Sequence, residues 1–497
     1  MEDVLYCTRI GYSYTKRPLA YSISTDGGPT VPVKLFIDNE KKRVLFAESD
    51  KEFVDVLFSF LTLPLGRIVR SFGVRSQIGC LDELYMSVGS LSADHLQTRD
   101  CKTMLLSPVN AAAVHLDRLK VKIDSTRGKG FYLCSDRRCG KFTSFYDCNI
   151  CRCGSSKSFW EYPSDYLVTA GDNEDGVFVK TGTKFIVTDD LQVAPSSTSL
   201  VFDLLDRFGL QDQANLEEKN LELNFAKISS LLQRALMSRQ PLTGLCFDVA
   251  ISPDDIDVNR LPENPLLKQA GETKSVFGPI KIKLVHTKDN SSVLYVEAGA
   301  DFLDILFGLL AVPLGSVIRT YGQWSPNGCI DNIYSSIAGS AKACVRQERR
   351  SLLLTPNLAP FFGCSRNVLQ ADELKPRSLT FSCFSCRRIA GGKKCGCTMP
   401  VNVTLHEMNP KSPGNSSDNT AKAYVKGGMR NFLVTNDLRV SHFSLANTLQ
   451  VIRAAKIPKE KLVEKELALD KRQVLKLLRT AMLSRDALTS LLLPSQN

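Results

Sequence analysis

The sequence predicts an α+β protein built from two homologous tandem domains. Each is expected to be an antiparallel sheet of hairpins packed by helices, with a cysteine-knuckle insertion. Three observations carry this. The stretch Asp301-Phe302-Leu303-Asp304-Ile305-Leu306-Phe307-Gly308-Leu309-Leu310-Ala311-Val312-Pro313-Leu314-Gly315 has an earlier copy running from Glu52 to Gly66, with Phe, Asp, Pro and Gly at one fixed offset and apolar residues kept between them. Strand-like alternation precedes each copy and helical spacing runs through it. A cysteine-rich insertion follows each copy.

A chain of 497 residues exceeds one core and suggests two or three domains. The reading divides it into a disordered extension (1–30), a first repeat domain (31–245), a linker rich in Pro and Asp (246–277) and a second repeat domain (278–490). With 43% hydrophobic and 23% charged residues, the composition is that of a globular protein with ample core. Met1 to Thr30 shows no basic start followed by an apolar run, and no stretch approaches eighteen uninterrupted apolar residues; neither a secretory signal nor a membrane span is expected. The expected location is cytoplasmic or nuclear. In that reducing setting the 16 cysteines argue for metal sites or buried thiols rather than disulfides.

The elements follow in order. Val33–Ile37 and Arg43–Ala47 read as a hairpin around Asn39–Lys42, repeated by Ile280–Leu284 and Val293–Val296. Ser49 with Glu52 three residues later reads as a capping box opening a helix. Phe53, Val56, Leu57, Phe60 and Leu61 fall on one face of it, and Pro64 and Pro313 stop the helices, since proline disfavours helical geometry in the residue before it. Arg67–Phe72 and Ser316–Tyr321 read as short turns closed by Gly73 and Gly322. Helices carrying Leu84, Tyr85 and Val88, or Ile333, Tyr334 and Ile337, come next. After the insertions, Val177–Lys180 with Lys184–Thr188, and Ala423–Lys426 with Asn431–Thr435, read as second hairpins. Helices at Leu200–Phe208, Ile228–Ser238 and Arg472–Ser484 close the units.

Val33–Glu48, the Leu63-Pro64-Leu65-Gly66 and Val312-Pro313-Leu314-Gly315 turns, Tyr85 and Tyr334, the cysteine clusters, Val179-Lys180 and Val425-Lys426, and the ends at Leu236–Thr243 and Met482–Thr489 together resemble a plant family known as a domain of unknown function (number six hundred and seventy-four). The likeness covers nearly all of 31–490 as two copies. It implies a plant protein and supplies no reaction, substrate or catalytic residue.

The second cluster reads Cys383-x2-Cys386, eight residues, then Cys395-x-Cys397. Four thiols in two close pairs match the tetrahedral preference of zinc. Gly391, Gly392 and Gly396 free the backbone for tight turns, and Arg387, Arg388, Lys393 and Lys394 offset a four-thiolate centre. The first cluster reads Cys134-x4-Cys139, then Cys148-x2-Cys151-x-Cys153: five thiols for four places. Matching the paired ends selects Cys134, Cys139, Cys151 and Cys153; matching the eight-residue gap brings in Cys148 instead. Four protein ligands leave no open position, so the expected zinc is structural. The alternatives are reduced thiols packed as small hydrophobes, or a redox pair.

Residues 31–245 carry 27 basic and 27 acidic side chains, and residues 278–490 carry 30 and 16, so the overall +11 belongs to the second half. That excess, which includes Arg346, Arg349, Arg350 and Lys456–Lys476, suits an acidic partner, whereas the mixture of Lys456–Lys476 with Glu460, Glu464, Glu466 and Asp470 suits solvated helices. Aromatic residues are not interleaved with the basic clusters except Phe381 and Phe384, and no nucleic-acid fingerprint appears. His406-Glu407-Met408 lacks the second histidine of a zinc-protease helix, and no phosphate loop or dinucleotide motif is present. Asp55 and Asp304 read as helix-surface acids near an N-terminus. The expected function is a non-catalytic binding or scaffold protein with structural zinc knuckles. A nucleic-acid binder using the basic half, and an enzyme working between the domains, are the alternatives.

Overall fold

The computed structural model describes residues 28–124, 130–134, 141–143, 153–161, 176–209, 216–251, 277–381, 403–412, 421–428 and 431–493. The first half runs β1 (Val31–Asp38), β2 (Arg43–Ser49), α1 (Lys51–Ser59), α2 (Leu65–Ser71), α3 (Leu81–Ser90), α4 (Arg99–Leu106), α5 (Ala113–Leu116), β3 (Gly130–Cys134), β4 (Lys141–Thr143), β5 (Lys157–Glu161), β6 (Phe185–Thr188), β7 (Val193–Pro195), α6 (Thr198–Phe208), β8 (Leu216–Leu223), α7 (Phe225–Met237) and α8 (Pro241–Cys246). The second half follows a similar order, without a counterpart of α5 and with two strands in place of β3–β5 among the described residues: β9 (Ile280–Thr287), β10 (Val293–Ala298), α9 (Ala300–Gly308), α10 (Leu314–Tyr321), α11 (Ile330–Ala338), α12 (Gln347–Leu354), β11 (Ser378–Phe381), β12 (Val403–Glu407), β13 (Phe432–Thr435), β14 (Val440–His442), α13 (Leu445–Ala455), β15 (Leu462–Leu469), α14 (Lys471–Leu483) and α15 (Ala487–Leu492).

The α+β class holds, and two of the antiparallel sheets share one strand order, β7-β6-β2-β1-β8 and β14-β13-β10-β9-β15. Alternation in β1 buries Val31, Val33, Leu35 and Ile37. On their other faces the sheets take the amphipathic helices α6 and α13, which pack on Leu45, Phe46 and Ile186, and on Leu294, Tyr295 and Leu433.

Several expected elements differ. No capping box forms at Ser49: Asp50 is the N-cap of α1 and makes no side-chain cap bond. The α1 helix is buried all round from Phe53 to Ser59, as is α9 from Phe302 to Gly308, so the expected single apolar stripe is a fully enclosed helix. Arg67–Ser71 and Ser316–Tyr321 lie in the helices α2 and α10 rather than turns, with Phe72 the C-cap of α2 and Pro64 and Pro313 the N-caps. Leu63 is extended, as the residue before proline should be. Val177–Lys180 and Ala423–Lys426 do not pair with the strands that follow them. Val179 bridges Val345 and Val425 bridges Leu96, each in the other half. The second hairpins are instead β6–β7 and β13–β14. The charged runs Leu216–Leu223 and Leu462–Leu469 are edge strands on β1 and β9, so part of Lys456–Lys476 is strand rather than solvated helix.

The two halves share one apolar core. A single buried cluster takes in Phe53, Leu57 and Leu61 together with Phe302, Leu306 and Leu310. The Pro-Leu-Gly turns meet at its centre: Pro64 bridges Pro313, the Leu65 N–H donates to Val312 O at 3.0 Å, and the Leu314 N–H donates to Leu63 O at 2.9 Å. The glycine is required there, because a Cβ on Gly66 or Gly315 would lie 3.0 Å from the carbonyl of Leu310 or Leu61 respectively.

A third sheet joins the halves in the order β11-β12-β4-β3-β5. β11–β12, β3–β4 and β3–β5 are antiparallel, whereas β12 runs parallel to β4 with His406 opposite Lys141. These directions place the C-terminal ends of β3 and β11 and the N-terminal ends of β5 and β12 at one end of this sheet.

Candidate functional site

Asp55, on the enclosed helix α1, is 3% exposed and is no surface acid. Its carboxylate accepts backbone N–H bonds from Val177 (2.5 Å), Phe178 (2.7 Å) and Val179 (3.1 Å). Burial pushes the carboxyl up to about 6, against the three N–H groups, which favour the charged form. Gly176 leaves room for this socket, since a Cβ there would stand 2.4 Å from the Asp55 Oδ2. Asp304 takes the equivalent place on α9, accepting from the Ser365 N–H at 2.7 Å and the Tyr424 N–H at 2.5 Å. Both carboxylates therefore bind segments of their own half.

Beside Asp304 lies a buried polar cluster that the sequence does not flag. Lys411 is fully buried. Its ammonium donates to Gly363 O at 2.5 Å and Lys422 O at 2.7 Å, and sits 3.5 Å from the centroid of the Tyr424 ring. Two carbonyls and one π face match the three N–H donors of lysine. Burial lowers its pKa to about 8, opposed by Asp304, Cys101, Cys364 and Glu373. Glu373 in turn accepts from the backbone of Phe361 and Gly363, and the Tyr424 hydroxyl donates to Phe362 O at 2.6 Å. Asn409-Pro410-Lys411 carries no periodic or motif signal; only the oddity of a lysine the fold must bury marks it, and burial is a tertiary property. A third shifted group, Asp189, is pushed up to about 6 by burial while accepting from the Thr243 N–H (2.9 Å) and hydroxyl (2.6 Å).

Of the eight expected metal ligands, Cys134 and Cys153 fall in the described residues. Cys134 ends β3 and is buried; Cys153 precedes β5 and is exposed. Their sulfurs stand 3.4 Å apart. Cys139, Cys151, Cys383, Cys386, Cys395 and Cys397, with the alternative Cys148, lie outside the described residues. Among the described residues no three His, Cys, Asp or Glu side chains group as a metal site.

The basic excess of the second half is only partly a surface property. Arg346 and Arg349 are each 8% exposed. Arg346 reaches across to Gly176 O at 3.2 Å, and Arg349 meets the His115 ring of the first half. Arg387–Lys394 lies outside the described residues. His406 sits on the strand β12, which agrees with rejecting the zinc-protease reading. Among the described residues, no helix is long and apolar enough to cross a membrane.

The family model described as "Protein of unknown function (DUF674)" matches residues 27–458 and, in a second overlapping match, residues 377–497. No curated protein and no solved structure matches the chain. With nearly its whole length accounted for by that model, the chain belongs to the DUF674 family.

Proposed function

We propose that the chain is a non-catalytic binding or scaffold protein whose third sheet is pinned by structural zinc. The observation that carries this is the Cys134–Cys153 pair: 3.4 Å between sulfurs is far beyond the ~2.05 Å of a disulfide and close to the spacing of about 3.8 Å between thiolates that share a tetrahedral zinc with ~2.3 Å bonds. Cys134, Cys139, Cys151 and Cys153 would hold one ion, and Cys383, Cys386, Cys395 and Cys397 a second. The closeness of Cys153 to Cys134 favours Cys153 as a ligand, leaving Cys148 as the alternative to Cys151. Bound zinc would tie together the end of the sheet where β3 and β11 finish and β5 and β12 begin. Full thiolate coordination offers no position for water, which suits a structural role.

The non-catalytic part is supported by how the shifted groups are used. Asp55 and Lys411 are saturated by backbone and ring partners, and Asp189 binds Thr243. Metal analysis of the reduced, purified chain tests the reading. Zinc should be present and should fall in Cys134→Ser and in Cys153→Ser. A metal-free protein in which both thiols react freely with a maleimide would overturn it. A nucleic-acid assay titrated with salt separates the scaffold from a nucleic-acid binder, which would show affinity falling steeply with salt.

A further inference from the structure

We infer that the surface between the two halves is a self-complementary dimer interface closed within one chain, and that the partner it fits is the matching half of a second copy of this chain. This is independent of the zinc reading. The contacts come in exchanged pairs. The Cys80 N–H donates to Ala481 O at 2.8 Å, and the equivalent Cys329 N–H donates to Ala235 O at 2.8 Å. Gln97 N–H bonds Tyr424 O at 2.8 Å while Arg346 N–H bonds Phe178 O at 2.8 Å; Lys426 N–H bonds His95 O while Lys180 N–H bonds Cys344 O, both at 2.9 Å. The Val440 N–H is held by the Ser87 hydroxyl and the Val193 N–H by that of Ser336. Pro64 and Pro313, which pair with each other, are their own counterparts, so the approximate two-fold axis passes between them. A contact of i with j matched by one of j with i is the signature of an isologous interface.

The close approaches are backbone on backbone. A Cβ on Gly79 would lie 2.4 Å from Ala481 O, and one on Gly328 would lie 2.6 Å from Leu236 O. Main-chain and glycine contacts do not depend on the identity of the exposed side chains around them, so the two halves fit although one is basic and the other neutral. That divergence also selects the pairing. A second half facing another second half would set net +14 against +14 (30 basic and 16 acidic residues in each). It would also bring Arg346, which donates to Gly176 O, up to the equivalent position Lys422. A first half facing a second half avoids both. The exchanged species is therefore a reciprocal dimer, the first half of each chain seated on the second half of the other, with β12 of one restoring the parallel pairing to β4 of its partner.

The test uses the full chain with a protease cleavage sequence placed within 252–276. After cleavage, the two fragments should co-elute at the mass of the intact chain. Two uncut versions with different tags, mixed, unfolded in urea and refolded together at high concentration, should yield a dimer that carries both tags, and cleavage should convert it to single-chain mass. Fragments that separate into compact monomers would overturn the interface. Co-elution without any doubly tagged dimer would overturn exchange between copies. Gly328→Val, whose side chain would strike Leu236 O, should release the cleaved fragments from one another.

Discussion

The carboxylate of Asp55 shows how one residue on an otherwise apolar helix organises the chain around it. Val177, Phe178 and Val179 turn three successive N–H groups into the core, where water cannot reach them. Asp55→Ala would strand all three, at a cost of about 1–3 kcal/mol for each orphaned donor; a fall in the urea midpoint with unchanged slope checks it. The pH dependence has a definite sign. The folded carboxyl titrates near 6 rather than 3.8, so the folded state holds its proton more tightly than the unfolded chain does. Its stabilising contribution is present in full below about 3.8 and is lost as pH rises through about 6, in total about 3 kcal/mol (2.2 pH units at 1.36). Asp55→Asn should remove its share of the slope in urea melts between pH 4 and 7, leaving the part that belongs to Asp189. Lys411 is the opposite case. Its folded pKa near 8 lies below the ordinary 10.5, so the folded state releases its proton first and stability gains as pH rises from about 8 to 10.5. Lys411→Met should flatten that rise, although its two orphaned carbonyls lower stability throughout. Tyr85 and Tyr334 occupy equivalent places, each hydroxyl donating to a carbonyl, Leu106 O at 2.6 Å and Leu354 O at 3.0 Å. Each Tyr→Phe change should lower stability by about 1 kcal/mol, measurable by chemical denaturation.

At the scale of elements, legibility followed burial. The hairpins β1–β2 and β9–β10 and the helices α3 and α11 stand where the sequence places them, because alternation and helical spacing record which face meets the core. The edge strands β8 and β15 carry no strand signal in their sequence. Leu-Glu-Glu-Lys-Asn-Leu-Glu-Leu and Leu-Val-Glu-Lys-Glu-Leu-Ala-Leu are rich in residues that disfavour strands and favour helices, yet Lys34 pairs with Glu218 at 3.0 Å and Lys283 with Glu464 at 3.6 Å across the ladder. Charged edges of this kind also discourage pairing with other chains. The Val177–Lys180 segment looked like a strand because its apolar residues are buried. Its bridge partner Val345 lies in the other half, which local pattern does not record. The Pro-Leu-Gly turn was the clearest motif, but its purpose is tertiary. Gly315→Ala should destabilise by roughly 1–3 kcal/mol through overpacking against Leu61 O and Leu353 O, measurable by chemical denaturation.

At the scale of the molecule, one apolar core serves both halves. Trp324 reports on their contact, since it is 3% exposed and its indole N–H donates to Leu236 O of the first half at 3.1 Å. In a Trp160→Phe background, loss of the Trp324 environment should coincide with loss of far-UV dichroism in a single transition. The α+β class, the repeated stretch around Asp55 and Asp304 and the places where thiols cluster are legible along the chain. These are matters of local periodicity and of one segment compared with another. That Asp55 and Asp304 are sockets, that Lys411, Arg346 and Arg349 are buried, and that strands from both insertions join in one sheet emerge from the folded chain alone. Those properties depend on which distant segments exclude water from a side chain, and no window along the chain contains both partners.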